Sequence, residues 1–412
     1  NQLTEDGQKD YEYGWGGRGD DNVEEEKSKD DRKRAGVLWS SDSKQFVMTR
    51  TDQRDVKDLW VIHNTRNPRP TLETYKYAMP GEKEQPQTEL LHFSFDQMEM
   101  KKLPISTFKD QTVSLWSTTP PANTRDDDFR PATWLGNLNE FYFAITSRDL
   151  KKVDVVRWNL ASNQKEVVIE ERSNTYIDFE KLELVGNELI WWSERDGWGH
   201  FYLYGKDGTL KRQLTSGPYH TAGAARVDAK NRKLYFVANG REKGEDPYYE
   251  HLYSVSLDGG AVSLLNAGDF NHDIDINDNA SFFVNTYSRV NTTPVSVLKD
   301  RNGNKVMDLE TADLSQLFAA GYQFPEPFKF KADDGITDLY GVMFKPFDFD
   351  STRKYPIIEY VYPGPQTEAV NKSFGRSMDR TDRLAQFGFV VVTLGNRGGH
   401  PARSKWYHNY GY

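Results

Sequence analysis

Two segments near the C-terminus carry polar groups at the ends of strongly apolar runs, where a side chain can be held rigidly and still face solvent. Tyr355 to Gly364 reads YPIIEYVYPG, and Phe387 to Gly399 reads FGFVVVTLGNRGG. In the first, Val361-Tyr362-Pro363-Gly364-Pro365 sets a phenol at a sharp turn. A donor fixed in this way loses little entropy on binding, and one oriented donor at a developing oxyanion contributes roughly 3 kcal/mol. A tyrosine on the rim of a core fits the same residues, and the motif alone leaves both readings open. In the second, Asn396-Arg397-Gly398-Gly399 forms a glycine turn that a Cβ would hinder. Arg397 reads there as a tie between neighbouring loops, a structural role and not a chemical one.

Other chemistries are absent from the sequence. There are no cysteines, which removes disulfides, thiolate metal sites and cysteine nucleophiles. The 8 histidines include no His-Glu-x-x-His pairing, so neither a metal nor any other cofactor is expected. Asp300 to Asn304 (DRNGN) echoes a calcium loop but lacks the closing glutamate at the right spacing, and reads as a hairpin turn. Gly-x-Ser-x-Gly, the strand-to-helix elbow of a hydrolase nucleophile, does not occur.

The elements that would position these groups change character along the chain. The two C-terminal apolar runs, with a helix-like segment between them, fit buried strands of a parallel sheet and so the start of an α/β domain. Upstream the pattern is different. Between Ala35 and Glu310 a unit of short strands recurs, clearest from Leu184 to Thr215: NELIWWSE, the loop RDGWGH, FYLY, the turn KDGT and LKRQLT. Asp-Gly between alternating runs is a strong hairpin signal. Corresponding positions Ala132, Lys181, Arg226 and His272 are separated by 49, 45 and 46 residues. A period of about 40 to 50 residues with four strands is the signature of propeller blades. The persistent order within each unit favours this over a β-sandwich of regular hairpins.

Five units are visible, and Asn1 to Tyr13 reads as the outer end of a further blade. Thr311 to Tyr322 (TADLSQLFAAGY) has helical spacing with Gly321 as its stop, and FKFKADDGITDLYGVMFKP follows as a hairpin. The expected organisation is therefore a mainly β chain, with residues 1–322 a partial β-propeller of four-stranded blades and residues 323–412 the start of an α/β domain.

Size and charge agree with two domains. A chain of 412 residues exceeds what one core usually serves. A net charge of −9, from 53 basic and 62 acidic residues, offers no concentrated basic face for nucleic acid. No apolar run of about 18 residues is present to span a membrane. The chain starts at Asn1 without a signal-type segment, and a processed or excised piece is expected.

The order of propeller, linker helix, hairpin, KYPIIEYVYPGP and FVVVTLGNRGG resembles the prolyl oligopeptidase family of serine peptidases, and within it the dipeptidyl peptidase IV branch. LIWWSERDGWGHFYLY and QLTSG resemble that branch's propeller. The resemblance covers nearly the whole chain, and it implies that residues 323–412 are the N-terminal part of an α/β-hydrolase domain. It implies that Tyr362 directs its hydroxyl at the tetrahedral intermediate, and that Asn396, Arg397 and Gly398 form the supporting Arg-Gly turn, with Asn where the family commonly has Asp.

It also implies a Ser/Asp/His triad that would follow Tyr412, so that this chain alone is expected to be inactive. Family members hold the substrate's free amine with two glutamates upstream of a Leu-Trp-Ser strand. Here that strand is Leu38-Trp39-Ser40 and the candidates are Glu25 and Glu26, in a longer and more charged setting (DDNVEEEKSKDDRKR). A solvated charged loop competes with amine recognition there, and dipeptide, tripeptide and internal cleavage all stay open. The resemblance further implies a peptide substrate, a homodimer of the full-length protein and a periplasmic or secreted location. A propeller serving only as a protein-interaction module, with a degenerate hydrolase, is the rival reading.

Overall fold

The computed structural model describes residues 3–13, 35–119, 131–362, 366–375 and 380–411. The chain forms two compact units, Asn1–Ile177 and Asp178–Tyr412.

In the first unit, a six-stranded sheet runs Glu99–Lys102, Gln87–Ser94, Gln45–Asp52, Leu38–Trp39, Thr133–Trp134, Ser117–Thr118 in spatial order. Its neighbour contains Gly136–Asn137, Glu140–Thr146, Lys152–Asn159 and Gln164–Arg172, with Thr112–Leu115 pairing Glu140–Thr146. Every residue of Glu140–Thr146 is buried. Both faces of that strand are covered, and Phe141, Phe143 and Ile145 join Val47, Leu90 and Trp158 in one core.

The long second half of the first repeat is explained by an inserted hairpin, Asp58–His63 with Thr71–Lys76, which pairs with no other strand among the described residues. Residues 3–13 form only an isolated bridge between Gln8 and Tyr11, not an outer strand. They are fastened by Arg50, whose guanidinium lies 3.7 Å from the Tyr11 ring and 4.4 Å from the Tyr13 ring while bonding Glu89 and Asp6.

The second unit holds three four-stranded antiparallel sheets. The first is Glu183–Val185, Glu188–Ser193, His200–Gly205 and Leu210–Gln213. The second is His220–Asp228, Lys233–Asn239, Glu250–Ser256 and Ser263–Leu264, and the third Asn271–Ile276, Phe282–Ser288, Val295–Asp300 and Lys305–Thr311. Aromatic-rich middle strands such as ELIWWS and HFYLYG are buried almost throughout, whereas the outer LKRQ and KVMDLET are exposed. Burial thus follows composition strand by strand.

The second of these sheets starts at His220, earlier than the repeat suggested. Its first strand has register shifts between Ala222 and Ala224 and between Ala224 and Arg226. A run of small residues with bulges shows no alternation, which is why it reads as loop. DRNGN is a hairpin turn: the Asp300 amide bonds the Asn304 carbonyl, and Gly303 has φ +87°. A Cβ on Gly303 would sit 2.3 Å from the Leu265 carbonyl oxygen, so glycine is needed for space as well as conformation.

His200 and His272 are fully engaged. His200 bonds Thr215 and the Gly217 carbonyl; His272 bonds Asn285 and the Gly268 carbonyl. The expected helix between the two regions is one short turn, Ser315–Ala319, followed by Gly321 at φ +91°. The last sheet of the unit is mixed. Glu326–Lys331 and Asp338–Phe344 form the hairpin, Val390–Leu394 pairs antiparallel with Asp338–Phe344, and Ile357–Tyr360 lies parallel to Val390–Leu394. Ile357–Tyr360 is half exposed and not buried on both faces, because it is the edge strand among the described residues.

Candidate functional site at the C-terminal edge of the mixed sheet

The parallel pair sets the site. Its register aligns Ile358 with Val391 and Tyr360 with Thr393, so Tyr362 and Gly395 leave the sheet at the same level on the same edge. The chain between the strands passes through the helix Asp382–Ala385, and Val342, Phe344, Val370, Ala385 and Val391 pack together behind the pair. In open α/β sheets, ligands bind beyond the carboxyl ends of parallel strands. Tyr362 is 57% exposed at that edge, and its hydroxyl has no hydrogen-bond partner among the described residues.

The second turn is rigid. Gly398 has φ +87°, and the Gly399 amide closes the turn on the Asn396 carbonyl at 3.1 Å. Arg397 pairs with Asp333 at 2.8 Å and Asp334 at 3.1 Å, both in the turn of the preceding hairpin, and its guanidinium lies 4.1 Å from the Tyr410 ring. The Thr337 hydroxyl and the Thr337 and Ile336 amides, with a smaller effect of Arg397, hold the Asp334 carboxyl well below the usual range. Arg397 therefore spends its donors on neighbouring loops. The Gln366 amide bonds the Gly398 carbonyl at 2.9 Å, so the segment that resumes at Gln366 rests on this turn.

Around these turns lies a buried polar group that no motif announces. Lys372 pairs with Asp246 at 2.9 Å and lies 4.5 Å from the Tyr248 ring and 5.0 Å from the Tyr340 ring. Burial lowers the Lys372 ammonium's pKa against the pull of Asp246. The Tyr248 ring also packs 4.3 Å from His400, which burial depresses to about 3. Glu368 lies in the same group with neither carboxyl oxygen hydrogen-bonded among the described residues, and burial pushes it up to about 7.

A second buried pair, His408 with Glu194 at 2.5 Å, joins the helix Lys405–His408 to the end of Glu188–Ser193, alongside a bond from the Lys405 amide to the Gly197 carbonyl. These partners are far apart in sequence, and only single charged residues beside apolar runs hinted at them.

A family model, that of the dipeptidyl peptidase IV (DPP IV) N-terminal region, matches residues 1–294. The chain belongs to the dipeptidyl peptidase IV branch of the prolyl oligopeptidase family. Among curated relatives, human (Homo sapiens) dipeptidyl peptidase 8 is 33% identical over 198 residues, 45% of this chain and 22% of that protein. A probable dipeptidyl-aminopeptidase B of Arthroderma otae is 28% identical over 210 residues, 49% of this chain and 22% of that protein.

Among solved structures, dipeptidyl peptidase 4 of Porphyromonas gingivalis aligns with a TM-score of 0.77 at 22% identity, over 100% of this chain and 55% of that one. A putative dipeptidyl aminopeptidase IV of Bacteroides ovatus aligns at 0.72 and 21%, over 92% of this chain and 54% of that one. The match thus spans under a quarter of those curated relatives and just over half of the solved chains. These likenesses give the fold: propeller blades followed by the first part of an α/β-hydrolase sheet.

Within that family frame, Glu25 and Glu26 lie outside the described residues. The strand they precede, Leu38–Trp39, borders a cleft of about 370 Å³ lined by Trp39, Ser40, Phe95, Pro131 and Thr133, with no carboxylate among its described lining. Among the described residues there is no group of three or more ligating side chains able to hold a metal, and no helix long and apolar enough to cross a membrane.

Proposed function

We propose that the full-length protein is a serine peptidase of the dipeptidyl peptidase IV type that releases N-terminal di- or tripeptides. Residues 1–322 form the propeller that gates and positions the peptide, and residues 323–412 open the catalytic domain. The observation that carries this reading is an exposed Tyr362 hydroxyl, without a hydrogen-bond partner among the described residues, at the edge that also bears the Asn396–Gly399 turn, in a chain of this family.

Tyr362 would donate to the oxyanion of the tetrahedral intermediate. Asn396, Arg397 and Gly398 would hold the adjoining loop, and Glu25 or Glu26 would take the substrate's amine. The nucleophile, acid and histidine would come from residues outside this sequence, so the 412-residue chain alone would bind and shape but not hydrolyse. A homodimer and a periplasmic or secreted location, which the family resemblance implies, are part of the same proposal. The hairpin bearing Trp60, Ile62 and Leu72, exposed at 72%, 65% and 52%, is the apolar surface we assign to the second copy.

The test uses full-length protein with Xaa-Pro chromogenic substrates, free and N-blocked. Preferential cleavage of the free form is expected. Equal rates on blocked peptides would sink the aminopeptidase reading, and no hydrolysis of either would favour the interaction-module alternative.

A further inference from the structure

Gly395 follows the strand Val390–Leu394 without a positive φ, so no backbone conformation calls for glycine there. Space does. A Cβ at Gly395 would lie 2.6 Å from one Glu368 carboxyl oxygen and 2.9 Å from the other. The carboxyl is laid against bare backbone at the mouth of the site, with both oxygens buried and without a hydrogen-bond partner among the described residues.

Charged and titratable groups face it from each element packed around it. Lys372 comes from its own segment, Asp246 and Tyr248 from the loop before Glu250–Ser256, and Arg403 and Tyr407 from the segment after the Asn396–Gly399 turn. The two cations are committed elsewhere. Lys372 bonds Asp246, and Arg403 bonds the Asp338 carbonyl at 3.1 Å and the Tyr248 hydroxyl at 3.4 Å. A carboxyl so placed is less costly neutral than ionised. Its pKa of about 7 places the transition in a working range.

Glu368 belongs to the segment that follows Tyr362 in the sequence, and other residues of that segment dock it. Gln366 is docked on the Gly398 carbonyl at 2.9 Å and on Asn409 at 3.1 Å, and Ser373 and Phe374 are tied to Asn271 and Ser288. An ionised Glu368 must find water or a donor, and either lifts residues 366–368 away from Gly395. A misplacement of about 1 Å at a catalytic group can cost on the order of a hundredfold in rate.

We propose that neutral Glu368 is a positioning residue for Tyr362, seating residues 366–368 on Gly395, and that ionisation of Glu368 unseats them. This rests on the reading of Tyr362 as oxyanion donor.

The experiment has two arms. In full-length protein, wild-type kcat should fall about tenfold between pH 7 and about 8.5 as one group ionises, while Glu368→Gln, which stays neutral, should lose that alkaline fall. In the 412-residue chain, hydrogen exchange of residues 366–375, corrected for intrinsic rates, should show protection lost at high pH in wild type and kept in Glu368→Gln. Exchange that does not change with pH in wild type, or kcat profiles that superimpose, overturns the proposal. Tyr362→Phe measured alongside separates the failures. If it keeps wild-type kcat, the reading of Tyr362 is wrong. If it loses kcat while the profiles of wild type and Glu368→Gln coincide, that reading stands and Glu368 positions nothing.

Discussion

Replacing Lys372 by Met should be among the costliest single changes in the second unit. The ammonium is 2.9 Å from Asp246, with side-chain exposures of 12% and 18%, and it faces two tyrosine rings. Methionine keeps the apolar stem and removes only the charge. What remains is a mostly buried Asp246 carboxylate without its cation. Removing one partner of a buried pair costs about 3–5 kcal/mol, and the residual exposure of Asp246 argues for the lower end, about 3 kcal/mol. For a unit of this size that corresponds to a fall in Tm of about 6–12 °C.

The assay is thermal and urea unfolding of the 412-residue chain in a double-mutant cycle with Asp246→Asn. Because both charges leave together, the double variant should be less damaged than the sum of the singles by about 2 kcal/mol or more. A loss under about 1 kcal/mol for Lys372→Met, or strict additivity, would refute the argument that this pair is desolvated and mutually dependent.

Glu194→Ala should destabilise the chain by about 3 kcal/mol, since it strands His408, which is 1% exposed, and His408→Phe added to it should recover part of the loss in urea unfolding. Asp382→Asn should stabilise at pH 8 and not at pH 3.5. Burial raises Asp382 from 3.8 to about 6, so the folded state holds its proton longer and stability drains as pH rises between those values, by up to about 3 kcal/mol; unfolding of both proteins at the two pH values checks it. Gly303→Ala should cost about 2 kcal/mol or more, combining a left-handed φ with a backbone clash, as read from its Tm. Trp60→Glu should shift full-length protein from dimer to monomer in sedimentation without lowering the Tm by more than about 2 °C, since the ring is 72% exposed.

The blades could be read from sequence because their signals are local. Asp207-Gly208 marks a hairpin, and WW and FYLY mark strands buried on both faces. The mixed sheet could be read for the same reason, through Pro363-Gly364 and Gly398-Gly399 closing apolar runs. Signals failed where structure replaced pattern. His220–Asp228 pairs through bulged small residues, and the hairpin from Asp58 to Lys76 imitates blade strands while pairing with none of those described. The polar group around Glu368 could not be read at all. Asp246, Glu368, Lys372 and Arg403 come from three separate segments, and their meaning arises only when folding removes water from all of them. Gly395 was the single available hint, a glycine after a strand with no turn of its own to make.

The central claim is that Tyr362 serves a peptidase as its oxyanion donor, and the most direct measurement is kcat of full-length wild type and Tyr362→Phe on a free-amine Xaa-Pro substrate. The loss of one donor worth roughly 3 kcal/mol predicts a fall in kcat of about a hundredfold, with KM changed by less than about threefold. An unchanged kcat in Tyr362→Phe, or a loss confined to KM, would contradict it.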